Sequence, residues 1–208
     1  MEPVDMSTRN AVAFLIGKLR NKNTPSSVFH ETMETLSTLV IADALEKAPY
    51  EMISVDTPLE TTEWFRIEEQ KIVAVSILRA GNGMVESFRK LVPSGSIYHV
   101  GLARDEETLE PDYYYDSLPK DLSGKTVFIL DPMLATGGSA SATVDMISER
   151  NPESIIYCGI DGAPEGIKLM NSKYPNIPIY LAVIDSHLDN TGYIRPGLGD
   201  VGDRLYST

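Results

Sequence analysis

The chain has 208 residues, 42% of them hydrophobic, which is enough for one sizeable core and forces no second domain. With 18 Lys and Arg against 30 Asp and Glu, the net charge is −12, which excludes a sequence-independent grip on nucleic acid or an anionic membrane, because such affinity comes from basic side chains. A single Cys excludes a disulfide framework, and the absence of a signal-peptide pattern or a long apolar run leads us to expect one cytoplasmic domain.

Taken in chain order, apolar residues recur at Phe29, Met33, Leu36, Val40 and Ala44. That spacing predicts an amphipathic helix that covers one sheet face and ends near Pro49. Met52 to Val55 and Trp64 to Ile67 read as a short hairpin at a sheet edge. Strands are expected over 72–78, 97–102, 126–130, 155–160 and 179–184, with helices over 84–91, 139–150 and 164–173 between most of them. This alternation predicts an α/β fold with a mainly parallel sheet flanked by helices. Cys158 lies in an apolar run and reads as a buried strand residue. The segment from Arg104 to Leu118 is polar, acidic and tyrosine-rich without a clear period, and is expected to be a long irregular loop of the kind that forms lids. The tail from His187 carries Gly192, Pro196, Gly197, Gly199 and Gly202, too many breakers for an ordinary helix.

The run from Val127 to Ser139 carries the strongest chemical signal. Four apolar residues make a buried strand, Asp131 emerges at its carboxyl end, and small residues lead into a helix. The amides from Ala135 to Ser139 could point at a phosphate with the helix dipole behind them, and Gly137 and Gly138 allow close approach of the main chain. Two competing phosphate motifs fail. Gly124-Lys125-Thr126 has Pro119 where a nucleotide-binding P-loop needs its first Gly, and it precedes the strand; it reads as a turn. Gly81 and Gly83 follow a strand, but the third Gly of a dinucleotide fingerprint would fall on Glu86.

Several segments in order resemble the uracil branch of the type I phosphoribosyltransferases: Leu19 to Thr24, Val55 to Glu60, Ile77 to Gly81, Arg104 to Pro111, Asp131 to Ser139, Ala163 to Gly166 and Gly192 to Arg204. The resemblance implies the type I phosphoribosyltransferase fold over residues 1–208, with the core over about 70–185, a small hood from the N-terminal segment and 186–208, and a mobile lid loop. It implies transfer of a phosphoribosyl group from phosphoribosyl pyrophosphate (PRPP) to uracil, with Mg2+, mainly through PRPP and water and with Asp200 as a candidate ligand. Catalysis falls to Asp131, Arg104 and Asp200. PRPP would be held by Arg79, Arg104, Asp131, Pro132, Met133, Leu134, Ala135, Thr136, Gly137, Gly138, Ser139 and Asp200. Uracil would be read by the Ile194 carbonyl and the backbone of Gly199, Asp200 and Val201. GTP is a candidate effector, and a homodimer or higher homo-oligomer is implied.

The chain departs from the usual pattern at Asn82, Ala103 and Val201, and Ala11 to Phe14 lacks the His-Pro-Leu start of many relatives. Val201 in particular could crowd the base. His30, His99 and His187 read as packing or surface residues, and Tyr113, Tyr114 and Tyr115 as base-stacking or packing residues. Two alternatives stand beside the main reading: a regulator that senses UMP or PRPP without catalysis, and a transferase for another base. Pro132 argues against a purine enzyme, which usually carries a second acid there.

Overall fold

The computed structural model describes residues 1–104 and 111–208, and the side chains of these except 103, 104 and 111–113. In chain order the elements are β1 (Val4–Asp5), α1 (Asn10–Arg20), α2 (Ser26–Ala44), β2 (Tyr50–Asp56), β3 (Thr61–Ile67), β4 (Ile72–Leu78), α3 (Val85–Leu91), β5 (Ser96–Arg104), β6 (Pro111–Asp116), β7 (Thr126–Leu130), β8 (Met133–Leu134), α4 (Gly138–Ser148), β9 (Ser154–Gly162), α5 (Pro164–Lys173), β10 (Ile179–Ile184), β11 (His187–Leu188), β12 (Ile194–Arg195) and α6 (Val201–Tyr206).

The main sheet runs β1-β10-β9-β7-β4-β5-β6, with β8 added to β9. All its pairs are parallel except β5 with β6. Strand order reverses between β4 and β7, because the chain leaves β4 for β5 on one side and then returns to β7 on the other. The carboxyl ends of these two neighbours therefore border a crevice, the usual ligand position in open α/β sheets.

The continuous apolar runs follow from burial on both faces. In β7, Phe128 and Leu130 pack with Phe29, Leu36 and Val40 of α2 and with Phe88 of α3 on one face. Val127 and Ile129 face α4 and α5 through Val144, Ile147, Ile167 and Met170 on the other. Each fully buried Phe or Leu of this kind contributes roughly 1.5–3 kcal/mol. The α2 stripe is buried along its whole length. Ser37, also buried in α2, satisfies its hydroxyl by donating to the Met33 carbonyl at 2.7 Å. Cys158 is buried, and burial pushes its thiol pKa up.

As expected, helical backbone ends near Pro49, with α2 closing at Ala44 and a 3-10 turn over Leu45–Lys47 following it. Three expectations are corrected. The hairpin β2–β3 forms a two-stranded sheet of its own rather than an edge of the main sheet. Pro111–Asp116, read as irregular, is a strand paired antiparallel with β5, with a register shift at Gly101/Leu102. Gly101 makes that pairing possible, since a Cβ there would sit 2.3 Å from the Tyr114 ring. The tail forms the small β11–β12 hairpin and the six-residue α6 despite its breakers. The lid expectation over 105–110 lies outside the described residues.

Candidate active site

The ends of β4 and β7 open on a cavity of about 480 Å³. Arg79 and Ala80 form its wall after β4, and Asp131 and residues 133–140 form the wall after β7. Leu102 and Tyr114 contribute from the β5–β6 side, and Asp200 and Gly202 from the tail.

Asp131 follows the last residue of β7. Its amide donates to the Cys158 carbonyl at 3.1 Å, and its own carbonyl accepts from the Tyr157 hydroxyl at 3.0 Å. The carboxyl group is anchored lightly, accepting from the Met133 amide at 3.4 Å. Removal from water pushes its pKa up to about 7, against the pull of the Met133 amide and the Tyr157 hydroxyl. The group therefore stands between its neutral and charged forms at neutral pH.

The small-residue stretch divides into two parts. Met133 and Leu134 form β8, in register with Asp161 and Gly162, and the Leu134 carbonyl accepts from the Ala163 amide at 2.9 Å. From Ala135 the backbone turns into α4, with Gly137 at φ +83°, a left-handed conformation natural to glycine. The first-turn amides of α4 have no intrahelical acceptors, so Gly138, Ser139 and Ala140 bring donors and the positive end of the helix dipole to the cavity. Behind this turn, a Cβ on Gly166 would lie 2.4 Å from the Ala135 carbonyl oxygen. The bare Gly166 α-carbon is what lets α5 pack against the loop, which gives the Ala163 to Gly166 segment a structural meaning.

Arg79 is 57% exposed at its side chain and donates to Asp203 of α6 at 2.9 Å. Asp200 caps α6 by accepting from the Asp203 amide at 2.9 Å. A Cβ on Gly202 would lie 3.2 Å from Asp200 Oδ1 and 3.7 Å from Arg79 Nη2, so this glycine sits between the two charged groups.

The cavity thus brings together Arg79, Asp131, Met133 to Ser139 and Asp200. Pro132, Ile194, Gly199 and Val201 are not among its lining residues. Pro132 is buried, its carbonyl accepting from the Ile160 and Asp161 amides at 3.0 and 2.9 Å. Ile194 is buried in β12, and Gly199 is exposed at φ +76° beside Asp200. Val201 is buried with Leu198 and Leu205 in the core, so its extra bulk is directed away from the cavity. The Arg104 side chain and Asp105 to Glu107 lie outside the described residues, as does the side chain of Tyr113. Tyr114 lines the cavity, whereas Tyr115 and the three histidines do not.

Sequence reading missed Tyr157, Asp203, Arg20, Asp185 and Arg204 as parts of the site's framework. Tyr157 sits in an apolar run, and its hydroxyl acquires a role once β9 lies beside β7. Arg20 and Arg204 fall inside recognisable segments, which was the available signal, but Asp185 for Arg20, and Leu19 and Asn21 for Arg204, lie at the opposite end of the chain.

Residues 6–208 match the family model described as uracil phosphoribosyltransferase. The chain is 42% identical over 193 residues to the protein of that name from Wolinella succinogenes, covering 93% of each. It is 41% identical over 208 residues to the one from Polaromonas naphthalenivorans, covering 100% of both. Among solved structures, the AQ2163 protein from Aquifex aeolicus is similar with a TM-score of 0.91 at 33% identity, over 100% of this chain and 99% of that one. A hypoxanthine-guanine phosphoribosyltransferase from Bacillus anthracis shares the fold alone, with a TM-score of 0.52 at 13% identity over 74% of this chain and 78% of its own.

Proposed function

This chain belongs to the uracil phosphoribosyltransferase family, and on that premise we propose how its cavity transfers the phosphoribosyl group of PRPP to N1 of uracil, giving UMP and pyrophosphate. The reaction salvages a pyrimidine base. One observation carries the reading: Arg79, Asp131, the 135–139 turn and Asp200, from separate parts of the chain, converge on one cavity at the switch point of the sheet.

As pyrophosphate leaves, the ribose gains positive charge while the leaving group remains an anion, so groups that meet both charges lower the barrier. Asp131 holds the ribose hydroxyls and, when ionised, faces the sugar cation. The 5′-phosphate takes the backbone amides of Ala135 to Ser139, with the Thr136 and Ser139 hydroxyls as further donors. Arg79 exchanges Asp203 for pyrophosphate oxygens, which a guanidinium fork matches in geometry, and Arg104 shares this role.

Uracil offers an acceptor, a donor and an acceptor along one edge. The Ile194 carbonyl accepts from the ring, and the amides of Gly199 to Val201 donate to its oxygens. Cytosine would set an amino donor against an amide donor and leave buried groups unpaired.

Mg2+ is part of the proposal. The cavity offers the carboxylates of Asp131 and Asp200, which suits an ion that binds through one or two carboxylates, substrate phosphates and water. Asp200 would hold it, directly or through water, and the bound ion would neutralise charge on the leaving pyrophosphate.

A homodimer is also proposed, built on the β2–β3 hairpin. Tyr50, Met52, Trp64 and Phe65 there are each more than half exposed, and a two-stranded ribbon standing alone is marginally stable in water. No helix among the described residues is long and apolar enough to cross a membrane, and the proposal places the enzyme in the cytoplasm.

Pyrophosphate release from PRPP tests the reading, with uracil, cytosine, orotate, hypoxanthine or adenine as acceptor, with and without Mg2+ and with and without GTP as the candidate effector. Release with uracil, dependent on Mg2+, is expected. Silence with every base would overturn the transferase reading.

A further inference from the structure

We propose that Arg20, paired with Asp185, is a positioning residue for uracil recognition, fixing Gly197 and through it the Ile194 carbonyl. The inference rests on the backbone reading of uracil stated above.

Arg20, the last residue of α1, meets Asp185 in a two-pronged pair, Nη2 to Oδ1 at 2.6 Å and Nη1 to Oδ2 at 2.8 Å. Asp185 follows β10 directly, and its amide is tied to the Gly162 carbonyl at 2.8 Å, so the pair stands on the end of the sheet. Both backbone polar groups of Gly197 are then taken up by the two partners. The Gly197 amide donates to Asp185 Oδ2 at 2.9 Å, and its carbonyl accepts from Arg20 Nη1 at 3.2 Å.

Gly197 has φ +67°, and a Cβ on it would stand 2.1 Å from the Ile194 carbonyl oxygen. The turn therefore folds the Gly197 α-carbon against the atom assigned to the base. The two lie so close that even a Cβ finds no room between them, so the proposal has a displaced Gly197 disturb that carbonyl.

A second guanidinium grips the next residue. Arg204 donates to the Leu198 carbonyl at 2.8 Å and to the Asn21 carbonyl at 2.8 Å, and also to the Leu19 carbonyl. Its guanidinium lies 4.1 Å from the centre of the Phe29 ring. The Gly197–Leu198 turn thus hangs from the end of α1 by two guanidinium groups.

Neither Arg20 nor Asp185 lines the cavity. The PRPP side is built from β4, β7 and α4, while Asp200 is held separately as the cap of α6. Loosening Gly197 should therefore weaken uracil recognition and leave PRPP recognition in place, a split that general damage to the fold would not produce.

The test compares wild type with Arg20→Gln, Arg20→Lys and Asp185→Asn in the full chain, varying uracil and PRPP independently and recording thermal unfolding. Loss of a charge-assisted hydrogen bond sets the scale at about tenfold. Arg20→Gln is expected to raise the KM for uracil by about that factor, with the KM for PRPP within about twofold. Arg20→Lys, which keeps the charge and loses the fork, should lie between wild type and Gln, and it carries the test should Arg20→Gln fail to fold. Equal changes in both KM values, or an unchanged uracil KM in folded Arg20→Lys, would overturn the inference. Wild-type protein silent with uracil would remove the premise itself, a result distinct from any behaviour of the variants.

Discussion

Arg79 donates to Asp203 across 2.9 Å, so the guanidinium at the cavity wall is held by the first turn of α6. Both side chains are about half exposed, at 57% and 47%, and an exposed pair contributes only about 0–1 kcal/mol. In the proposed clamp role, phosphate oxygens therefore replace Asp203 at little cost. Arg79→Ala should leave Tm within a few degrees of wild type and raise the KM for PRPP about tenfold or more. Steady-state kinetics with PRPP varied decide it; an unchanged PRPP dependence removes the clamp role.

Asp131→Asn keeps the shape of a buried side chain and removes its charge. Turnover should fall by about 100-fold or more, with the protein folded by circular dichroism. In wild type burial pushes the pKa of the Asp131 carboxyl up to about 7, and in the proposed role its protonated form, dominant below that pH, cannot balance the sugar cation. The kcat/KM for PRPP should therefore fall about tenfold per unit below roughly pH 7, and the variant's residual activity should lack this limb.

Asp161 on β9 is fully buried beside Asp185, and its protonated carboxyl group donates to the Asp185 carboxylate. Burial, then the neighbouring Asp185, push its pKa from 3.8 to about 8, against the pull of Arg20. Between those values the folded protein keeps a proton that the unfolded chain has lost. Stability thus declines as pH rises through that window, by at most about 1.4 kcal/mol per unit. Asp161→Asn should unfold several degrees above wild type at pH 8, and the two should converge toward pH 4. A gap independent of pH in thermal melts would refute this account.

Gly166→Ala would place a Cβ 2.4 Å from the Ala135 carbonyl oxygen and 2.9 Å from that of Leu134. Backbone atoms cannot rotate away, so α5 must shift from the 135–139 turn, at a cost of about 1–3 kcal/mol. The variant should melt several degrees lower and show a KM for PRPP raised more than that for uracil. A lower Tm with both KM values unchanged would show that the turn does not depend on α5.

Trp64 and Phe65 stack with ring centres 5.6 Å apart on an exposed hairpin. Trp64→Lys should shift the protein from dimer toward monomer in sedimentation velocity. A monomeric wild type would contradict the proposed interface.

The strands β4, β7 and β10 were legible to the residue, because each is a predominantly apolar run buried on both faces and each is bounded by polar or turn residues. Their order in the sheet was not legible, since it depends on which runs pair across the core. Asp131 and the turn after it could be read because strand, acid and small residues are contiguous. The strand from Pro111 to Asp116 could not, because its formation depends on β5 and on the space that Gly101 leaves for Tyr114.

By itself the sequence determined the central strands with the helices between them, the small-residue turn after Asp131 and the family, all carried by patterns within short windows where hydrophobic periodicity and turn chemistry act. Only the tertiary structure decided that Arg79 rests on Asp203, that Tyr157 supports Asp131, and that Arg20 and Asp185 hold Gly197. Arg20 and Asp185 stand 165 residues apart, and Arg204 and Asn21 stand 183 apart. A hydrogen bond acts over about 3 Å, so such pairs come into being only when the packed core brings distant segments within reach.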